Sequence, residues 1–315
     1  MAWILAILQT LLFIGGAPLL AGWIKMLKCW LQNRNAPSLL QPYRDLRKLW
    51  RKESILPESA SWIFTAAPYL VFTVAVLTAA VVPLVAVDLP SARIIDVFGL
   101  VGFFALARTF LVLAGMDIGT AFGGMGSSRE MTISSLAEPA MLMVVFTLAM
   151  SAGTTNLSMG MDYVLDSGLV LRPSFVFALG SLMLVAVAET GRVPVDNPAT
   201  HLELTMIHEA MILEYSGRYL ALMEWASQIK LMLYGVLIAN IFFPWYIGRD
   251  FSPAALGQGL LAIMLKLALL SVLLALSETL LAKMRIFRVQ EYLSFAYLLG
   301  VLGMLSHIIL EVYYA

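Results

Sequence analysis

Long apolar stretches alternate with short polar connections along most of this chain. A membrane-spanning helix needs about 20 consecutive apolar residues, and eight stretches reach or approach that length: 3–23, 62–87, 94–115, 136–153, 174–189, 219–247, 254–279 and 292–313. Lipid offers the backbone no hydrogen-bond partners, so each stretch is predicted to be a helix. The pattern predicts an all-α integral membrane protein, a single transmembrane domain over residues 1–315 with about eight transmembrane helices.

The connections between these stretches divide into two sets of different charge. One set, at about 25–61, 116–135, 190–218 and 280–291, holds 14 Lys and Arg residues, and the other set holds three. Basic residues concentrate in cytoplasmic loops, so the first set is predicted to be cytoplasmic. Both termini then lie on the outer, periplasmic side, which requires an even number of spans and agrees with eight.

Composition supports a membrane protein and excludes several classes of site. The chain is 61% hydrophobic and 13% charged, with a mean hydropathy of +0.87, whereas soluble domains are about half apolar and a quarter charged. The formal net charge of zero gives no bias toward nucleic acid. A single cysteine, Cys29, excludes an internal disulfide, a cysteine-based zinc site and an iron–sulfur cluster. No basic residue precedes Lys25, so the first stretch is expected to be a retained helix rather than a signal peptide.

Charged residues inside the predicted spans cost free energy in lipid, so their presence marks candidate functional positions. Lys230 and Lys266 lie near the middle of their stretches and are expected to face protein or trapped water and to pair with a carboxylate. The other intramembrane and span-end charges are Arg108, Glu138, Glu189, Glu224 and Glu278.

The segment 189–224 is unusually acidic. It carries six carboxylates against two arginines and two histidines: Glu189, Asp196, Glu203, Glu209, Glu214, Glu224, Arg192, Arg218, His201 and His208. Clustered carboxylates near a low-dielectric region raise one another's proton affinity and can hold and pass protons near neutral pH. Glu214 and Arg218 are four residues apart, which would pair them on one helix. A proton relay and a docking surface for a basic partner are both compatible with this segment.

Two other motifs lack the spacing of known sites. His201, Glu203, His208 and Glu209 are metal-ligand types, but the two histidines are seven residues apart, unlike the four of the H-E-x-x-H zinc motif. The glycines at 123–126 lack the Lys-Ser/Thr of a phosphate-binding loop and the dinucleotide fingerprint. They are expected to form a tight, flexible loop, and no metal is expected.

Several short motifs resemble one family. Residues 33–49, with Pro42-Tyr43-Arg44-Asp45, resemble the first cytoplasmic loop of the membrane subunit that forms the floor of the quinone site in respiratory complex I. The same loop occurs in the homologous membrane subunit of group 4 nickel–iron hydrogenases, of the formate hydrogenlyase and hydrogenase 4 type. Residues 116–122, 126–130 and 152–156 look more like the hydrogenase branch. Residues 189–196 and 214–217 are similar to the acidic third loop shared by both branches.

The chain departs from that family's pattern in its acidic segment. The Pro-Phe-Asp of many relatives is Pro194-Val195-Asp196 here, and a Glu-Ala-Glu run is replaced by Ala199-Thr200-His201. These changes put a quinone pocket of the complex I kind in doubt and alter the start of the family's carboxylate route. The imidazole of His201 can substitute as a titrating group.

The resemblance implies an eight-helix subunit that docks a cytoplasmic redox arm and couples it to antiporter-like neighbours. Its central group would be Glu189, Arg192, Asp196, Glu203, Glu214, Tyr215 and Arg218, and we add as candidate relay residues His201, His208, Glu209, Glu224, Lys230, Lys266 and Glu278. The docking face would comprise Arg34, Gln41, Arg44, Asp45 and Lys48, with Asp117, Arg129 and Glu130 at the junction.

The resemblance also implies where the cofactors and partners lie. No cofactor is expected on this chain. A nickel–iron centre and iron–sulfur clusters would belong to the partners: hydrogenase large and small subunits, an iron–sulfur subunit and antiporter-like membrane subunits. The expected location is a bacterial or archaeal cytoplasmic membrane.

Three functions therefore compete on the sequence. The first is a non-catalytic membrane subunit of a hydrogenase complex, linked to proton or sodium translocation. The second is the quinone-site subunit of a complex I-type dehydrogenase. The third is a standalone secondary transporter with Lys230, Lys266 and Glu278 in its pathway. The electron donor, formate, ferredoxin or carbon monoxide, stays open.

Overall fold

The computed structural model of the chain describes residues 2–87, 89–167, 172–196, 206–249 and 252–311. These form eleven α-helices: α1 Ala2–Leu31, α2 Gln41–Arg51, α3 Trp62–Val81, α4 Val97–Asp117, α5 Ala121–Ala152, α6 Leu157–Ser167, α7 Pro173–Glu189, α8 His208–Ile212, α9 Gly217–Phe242, α10 Pro253–Leu280 and α11 Ile286–Ser306. A 3₁₀ turn covers Pro90–Arg93, and α11 continues as a π turn, His307–Glu311. The described residues include no β-strand.

Seven of the described helices are long and apolar enough to cross a membrane: α1, α3, α4, α5, α9, α10 and α11 with its π turn. The predicted span at 174–189 is helix α7, which is apolar but only 17 residues long. At about 1.5 Å per residue α7 is roughly 26 Å long, slightly less than the hydrocarbon core. The chain is therefore a multi-pass, all-α integral membrane protein, as predicted.

The largest difference from the sequence prediction is at residues 116–135, where the glycines predict a flexible loop. Helix α5 begins at Ala121 instead, and the Thr120 hydroxyl caps it by accepting a hydrogen bond from the backbone N–H of Gly123 at 3.2 Å. The glycines are helical because the helix packs tightly there. A Cβ on Gly126 would lie 2.9 Å from the Ala210 side chain. Small residues therefore signal close packing at this position and not a loop.

One end of the bundle carries residues 32–61, 118–120, 190–196, 206–216 and 281–285, and we call it the loop face. Helix α2 packs there on α1 and α9. The Ser216 hydroxyl bridges Ile55, accepting from its N–H at 2.8 Å and donating to its carbonyl at 3.0 Å. The Asp117 carboxylate accepts from the Ser61 N–H at 2.8 Å. These hydrogen bonds join three connections into one surface. That this surface is cytoplasmic remains a prediction from the Lys and Arg count.

At the opposite end α3 stops early, and residues 82–87 run on as a buried, non-helical stretch that we call the clamped segment. The Gln9 side chain on α1 hydrogen-bonds three of its backbone groups at 3.1–3.2 Å. The Asn240 amide on α9 donates to two of its carbonyls at 2.9 and 3.1 Å. Such side chains make non-helical backbone tolerable at membrane depth, because they replace the hydrogen bonds that a helix would supply.

Helix α9 lies at the centre of the bundle. Of its most apolar window 72% is buried, compared with 28% for α10 at the periphery. A helix that is apolar on all sides belongs in the interior, and α9 contacts α1, α2, α3, α7 and α10. Lys230, on α9, is therefore only partly accessible, with 26% of its side chain exposed.

Candidate functional site: a buried chain of ion pairs

Arg108 is the centre of a charge cluster inside the bundle. It lies on the apolar helix α4, and the residue is 5% exposed. Its guanidinium contacts three carboxylates: that of Glu189, that of Glu130 at 3.3 Å and that of Glu138 at 3.1 Å. A buried guanidinium is stable only when its charge is paired and its N–H groups are satisfied. The three carboxylates supply the pairing.

Glu189 extends the cluster to a second cation. Its side chain ends α7 and is 3% exposed, and its second oxygen lies 2.9 Å from the Lys230 ammonium on α9. Glu138 also accepts a hydrogen bond from the Ser134 hydroxyl at 2.8 Å. Three carboxylates thus face two cations, so the cluster has one formal negative charge in excess. In a low-dielectric interior that excess favours the binding of one proton.

A cavity of about 70 Å³ opens beside these charges. Its ionisable lining residues are Arg108, Glu130, Glu189, Lys230, Asp196 and His208, and its remaining wall is mostly apolar. Since a water molecule takes about 30 Å³ in the liquid, the cavity has room for roughly two. The cavity therefore connects the ion-pair chain in the bundle with the acidic segment on the loop face.

Asp196 organises that acidic segment. Its residue is 2% exposed, and its carboxylate accepts hydrogen bonds from the backbone N–H groups of Ile207 at 3.2 Å and His208 at 3.4 Å. The same carboxylate lies 3.1 Å from the Lys283 ammonium. Asp196 thus joins the chain after α7 to the start of α8 and to the connection before α11.

Glu278 forms a separate ion-pair group on α10. Its carboxylate is nearly inaccessible, and it lies 2.5 Å from the Lys28 ammonium of α1 and 3.3 Å from the Arg192 guanidinium that follows α7. Three elements therefore meet at one carboxylate near the loop face.

Burial shifts the pKa values of His208 and Glu209 on the loop face. Burial lowers the pKa of His208, and the nearby Lys230 ammonium lowers it further, while Glu209 and Asp196 act in the opposite direction. Burial raises the pKa of Glu209, the His208 charge opposes the rise, and Glu224 and Asp196 add to it. The pKa values of His208 and Glu209 are therefore shifted toward each other.

Tyr215 has a structural role. Burial raises the pKa of its hydroxyl strongly. The hydroxyl donates to the Phe64 carbonyl at 2.8 Å, and the two rings stack with their centroids 4.0 Å apart. Tyr215 thus fixes the acidic segment to α3 and does not titrate in the physiological range.

The structure separates some residues that the sequence grouped together. The Lys266 ammonium donates to the Trp245 carbonyl at 2.8 Å, at the end opposite the loop face, and the described residues offer it no carboxylate. The expected Glu214–Arg218 pair is wrong, because α8 ends at Ile212 and α9 begins at Gly217. Arg218 instead stacks over a neighbouring ring. His201 and Glu203 lie outside the described residues.

The predicted docking residues divide into surface and interior positions. Arg34, Arg44, Asp45 and Lys48 are accessible on the loop face, where Gln41 donates to Asp45 at 2.8 Å. Asp117 and Arg129 instead hold the surface together, Arg129 by donating to the Met206 carbonyl at 3.0 Å. Glu130 belongs to the buried cluster around Arg108.

Sequence reasoning leaves several members of these clusters without a role. It marks Arg108 and Glu138 as costly charges but assigns them no partner, and it does not identify Ser134, Lys28 or Lys283 as partners. A signal exists for part of this set. Glu130, Ser134 and Glu138 are spaced at four-residue intervals, which places them on one helix face once 121–135 is known to be helical.

Comparison with known proteins gives consistent matches along nearly the whole chain. A family model described as NADH dehydrogenase matches residues 3–309. Formate hydrogenlyase subunit 4 of Escherichia coli (strain K12) is 31% identical, covering 89% of this chain and 90% of that protein. Hydrogenase-4 component C of the same organism is 30% identical, covering 90% and 88%. An NADH-quinone oxidoreductase component of Anaplasma marginale (strain St. Maries) is 30% identical, covering 76% and 73%.

A solved structure shares the fold. A chain of the membrane-bound sulfane sulfur reductase, an archaeal respiratory membrane complex, superposes with a TM-score of 0.81, covering 96% of this chain and 98% of that chain. Its sequence identity of 16% means that this match speaks for the fold alone. By their names, these relatives are components of larger membrane assemblies.

Proposed function

Because the chain belongs to the NADH dehydrogenase family, we propose that it is the membrane-anchor and coupling subunit of a nickel–iron hydrogenase complex of the formate hydrogenlyase type. The membership confirms the resemblance found in the sequence. The two relatives with hydrogenase names match over about nine-tenths of this chain, and the NADH-quinone oxidoreductase relative matches over about three-quarters. That difference in coverage favours the hydrogenase branch.

The observation that carries the coupling role is the buried chain of ion pairs. It runs from Glu130 and Glu138 through Arg108 to Glu189 and Lys230, and it joins α4, α5, α7 and α9. Protonation of one carboxylate weakens its attraction to Arg108, so the guanidinium shifts toward the carboxylates that remain charged. A change in proton occupancy thereby becomes a movement between helices. Through the cavity at Asp196 and His208, the acidic segment senses that movement.

The loop face provides the surface for a redox arm. Helix α2 presents Arg44, Asp45 and Lys48 to solvent while burying Leu46 against the bundle. Charges of both signs on a rigid, amphipathic helix suit a specific polar interface. We infer that the nickel–iron centre and the iron–sulfur clusters belong to the partner subunits docked there. The described residues include no group of three or more His, Cys, Asp and Glu placed to hold a metal ion.

The partners proposed are hydrogenase large and small subunits and an iron–sulfur subunit on the loop face, with antiporter-like subunits beside the bundle. The location proposed is a cytoplasmic membrane with the loop face inward, in line with the 14 to 3 distribution of Lys and Arg.

The quinone-site function has less support. Sites for small molecules usually measure about 300–1,000 Å³, whereas the cavity at the charge cluster measures about 70 Å³. A quinone ring therefore does not fit beside the ion pairs themselves.

The first test is to purify the chain gently from its native membrane, identify the proteins that accompany it and count the metals. Nickel and iron in the eluate, with hydrogen evolution from a reduced viologen, would establish the hydrogenase assignment. A nickel-free, flavin-containing complex that reduces quinone would replace it with the complex I function. A chain that purifies alone and stays stable would favour the transporter.

The second test concerns coupling. Glu189→Gln keeps the side-chain shape and removes the shared charge, and Glu58→Gln on the exposed loop face is the matched control. We expect the Glu189 variant to assemble and to evolve hydrogen from reduced viologen, but to lose ion translocation driven by the natural donor. Translocation equal to that of the control in an assembled complex would remove the coupling role and leave the anchoring role standing.

A further inference from the structure

Two consecutive membrane helices of this chain stand apart from each other. Helix α10 packs on α1 and α9, whereas α11 packs on α5 and α7. Beside α10 lies a cleft of about 400 Å³, with α7 as its other wall and α9 as its floor, to which α11 contributes Tyr292. Short connections normally bring consecutive helices into contact, so the gap between α10 and α11 is an unusual feature of this bundle.

The walls of the cleft are apolar. Leucine, isoleucine, valine and methionine side chains make up most of its lining. Its two serines on α10 are already satisfied within that helix: Ser271 donates to the Leu267 carbonyl at 2.6 Å, and Ser277 donates to the Leu274 carbonyl at 2.8 Å. Water in a cavity needs two to four polar partners. The cleft therefore suits a hydrocarbon and not a column of water.

The length of the cleft matches a lipid chain. Along α10 the lining runs from Leu267 to Leu281, about 21 Å at 1.5 Å per residue, which is somewhat more than the depth of one leaflet. The acyl chain of a lipid in one leaflet can therefore lie along the whole cleft.

The mouth of the cleft, on the loop face, is positively charged. Thr190, Pro194, Ser277 and Leu281 form its rim. Two ion-pair groups lie at this rim: Lys28 and Arg192 share the Glu278 carboxylate, and Lys283 pairs with Asp196. The first group has one positive charge in excess. Arg285 is accessible, and Lys28 and Arg192 keep part of their side chains accessible beside Glu278.

We propose that this cleft is a binding site for an anionic phospholipid, with one acyl chain between α10 and α7 and the phosphate at the basic rim. The apolar wall supplies affinity for the chain, and the excess positive charge selects an anionic headgroup. The bound lipid would hold the peripheral helix α10, and with it Glu278, against the bundle. This site is independent of the redox role proposed above.

The unchanged protein gives the first test. The chain and its accompanying proteins are placed in vesicles of phosphatidylethanolamine and phosphatidylglycerol, the latter with a photoreactive group in one acyl chain. We expect the cross-linked peptides to fall within 267–281 and 183–194. Labelling confined to the outward surfaces of α10 would overturn the proposal. So would a cross-link, from a cysteine at Leu274, to a helix of another subunit seated in the cleft.

Variants give the second test. Ser271→Phe puts a ring into the cleft, and Leu269→Phe puts the same ring on the bilayer-facing side of α10, where the leucine is 64% exposed. After partial delipidation, native mass spectrometry should show about tenfold less phosphatidylglycerol on the Ser271 variant than on the control. Equal retention by the two variants would refute the site.

The headgroup is tested separately. Arg285→Gln should lower the preference for phosphatidylglycerol over phosphatidylethanolamine, whereas Arg51→Gln, which removes an exposed charge on α2, should not. An unchanged preference in the Arg285 variant would contradict recognition of the phosphate at this rim.

Discussion

Replacing Lys230 with glutamine tests whether the buried ion pairs act as a connected unit. The Lys230 ammonium lies 2.9 Å from the Glu189 carboxylate, and the two side chains are 26% and 3% exposed. At an effective dielectric constant of about 20, their attraction amounts to about 6 kcal/mol. Most of that offsets the cost of taking both charges out of water. Arg108 continues to hold Glu189 in the variant, so we expect a loss of about 3 kcal/mol, at the lower end of the range for a broken buried pair.

The double variant with Glu189→Gln removes both charges at once. Because it leaves no unpaired lysine, its loss should be smaller than the sum of the two single losses by about 2 kcal/mol, within the range of measured coupling between contacting residues. The assay is thermal unfolding of the purified protein in detergent, with the exposed Lys52→Gln as control. A loss of about 3 kcal/mol corresponds to a midpoint lowered by roughly 6 °C or more. Single variants as stable as the wild type, or strictly additive losses, would refute the coupling.

Three further predictions use the same assay. As the pH falls from about 7 to 5, His208 takes up a proton more readily in the unfolded state than in the folded state, because folding lowers its pKa, so the folded protein loses stability. Glu209 takes up its proton more readily in the folded state, because folding raises its pKa, so it adds stability over the same range. His208→Gln should therefore flatten that loss and Glu209→Gln should steepen it, and identical slopes would contradict both shifts. Gly126→Ala should cost about 1–3 kcal/mol because its Cβ meets backbone and side chain at 2.9 Å, whereas Gly124→Ala, with open space around it, should stabilise by about 0.5–1 kcal/mol. Gln9→Ala should cost about 3 kcal/mol or more, since three buried backbone groups lose their partner, and a midpoint near that of the wild type would show that the clamp is dispensable.

The helices can largely be predicted from the sequence because lipid imposes a simple rule on apolar length. The rule fails where other forces act. Helix α5 runs on through a glycine-rich stretch because those glycines allow close contact with the segment at Ala210, a contact that lies outside the local pattern. The apolar pattern predicts the end of α3 at 87, but the helix ends at Val81, because Gln9 and Asn240 replace the helical hydrogen bonds of the residues that follow.

The site can be predicted only in part. The free-energy cost of an ionisable side chain in a membrane span is enough to single out Arg108, Lys230 and Glu189 from the sequence, whatever surrounds them. Which charges pair with each other depends on packing between helices distant in sequence. Arg108 and Glu189 are 81 residues apart in the chain, and Lys266 turns toward a carbonyl at the opposite end from Lys230. No spacing rule within one helix assigns those partners.

The clamped segment also places a constraint on the order in which the protein is made. Its backbone is satisfied by Gln9, which is about 75 residues earlier in the chain, and by Asn240, which is about 157 residues later. At a synthesis rate of about 5–20 residues per second, the later helix emerges from the ribosome roughly 8–30 s after the segment. Until then the carbonyls that Asn240 will satisfy cannot enter lipid without a cost of several kcal/mol each. The nascent chain must therefore keep this end in contact with water or with the insertion machinery, and a chain truncated before α9 would expose these carbonyls to quality control.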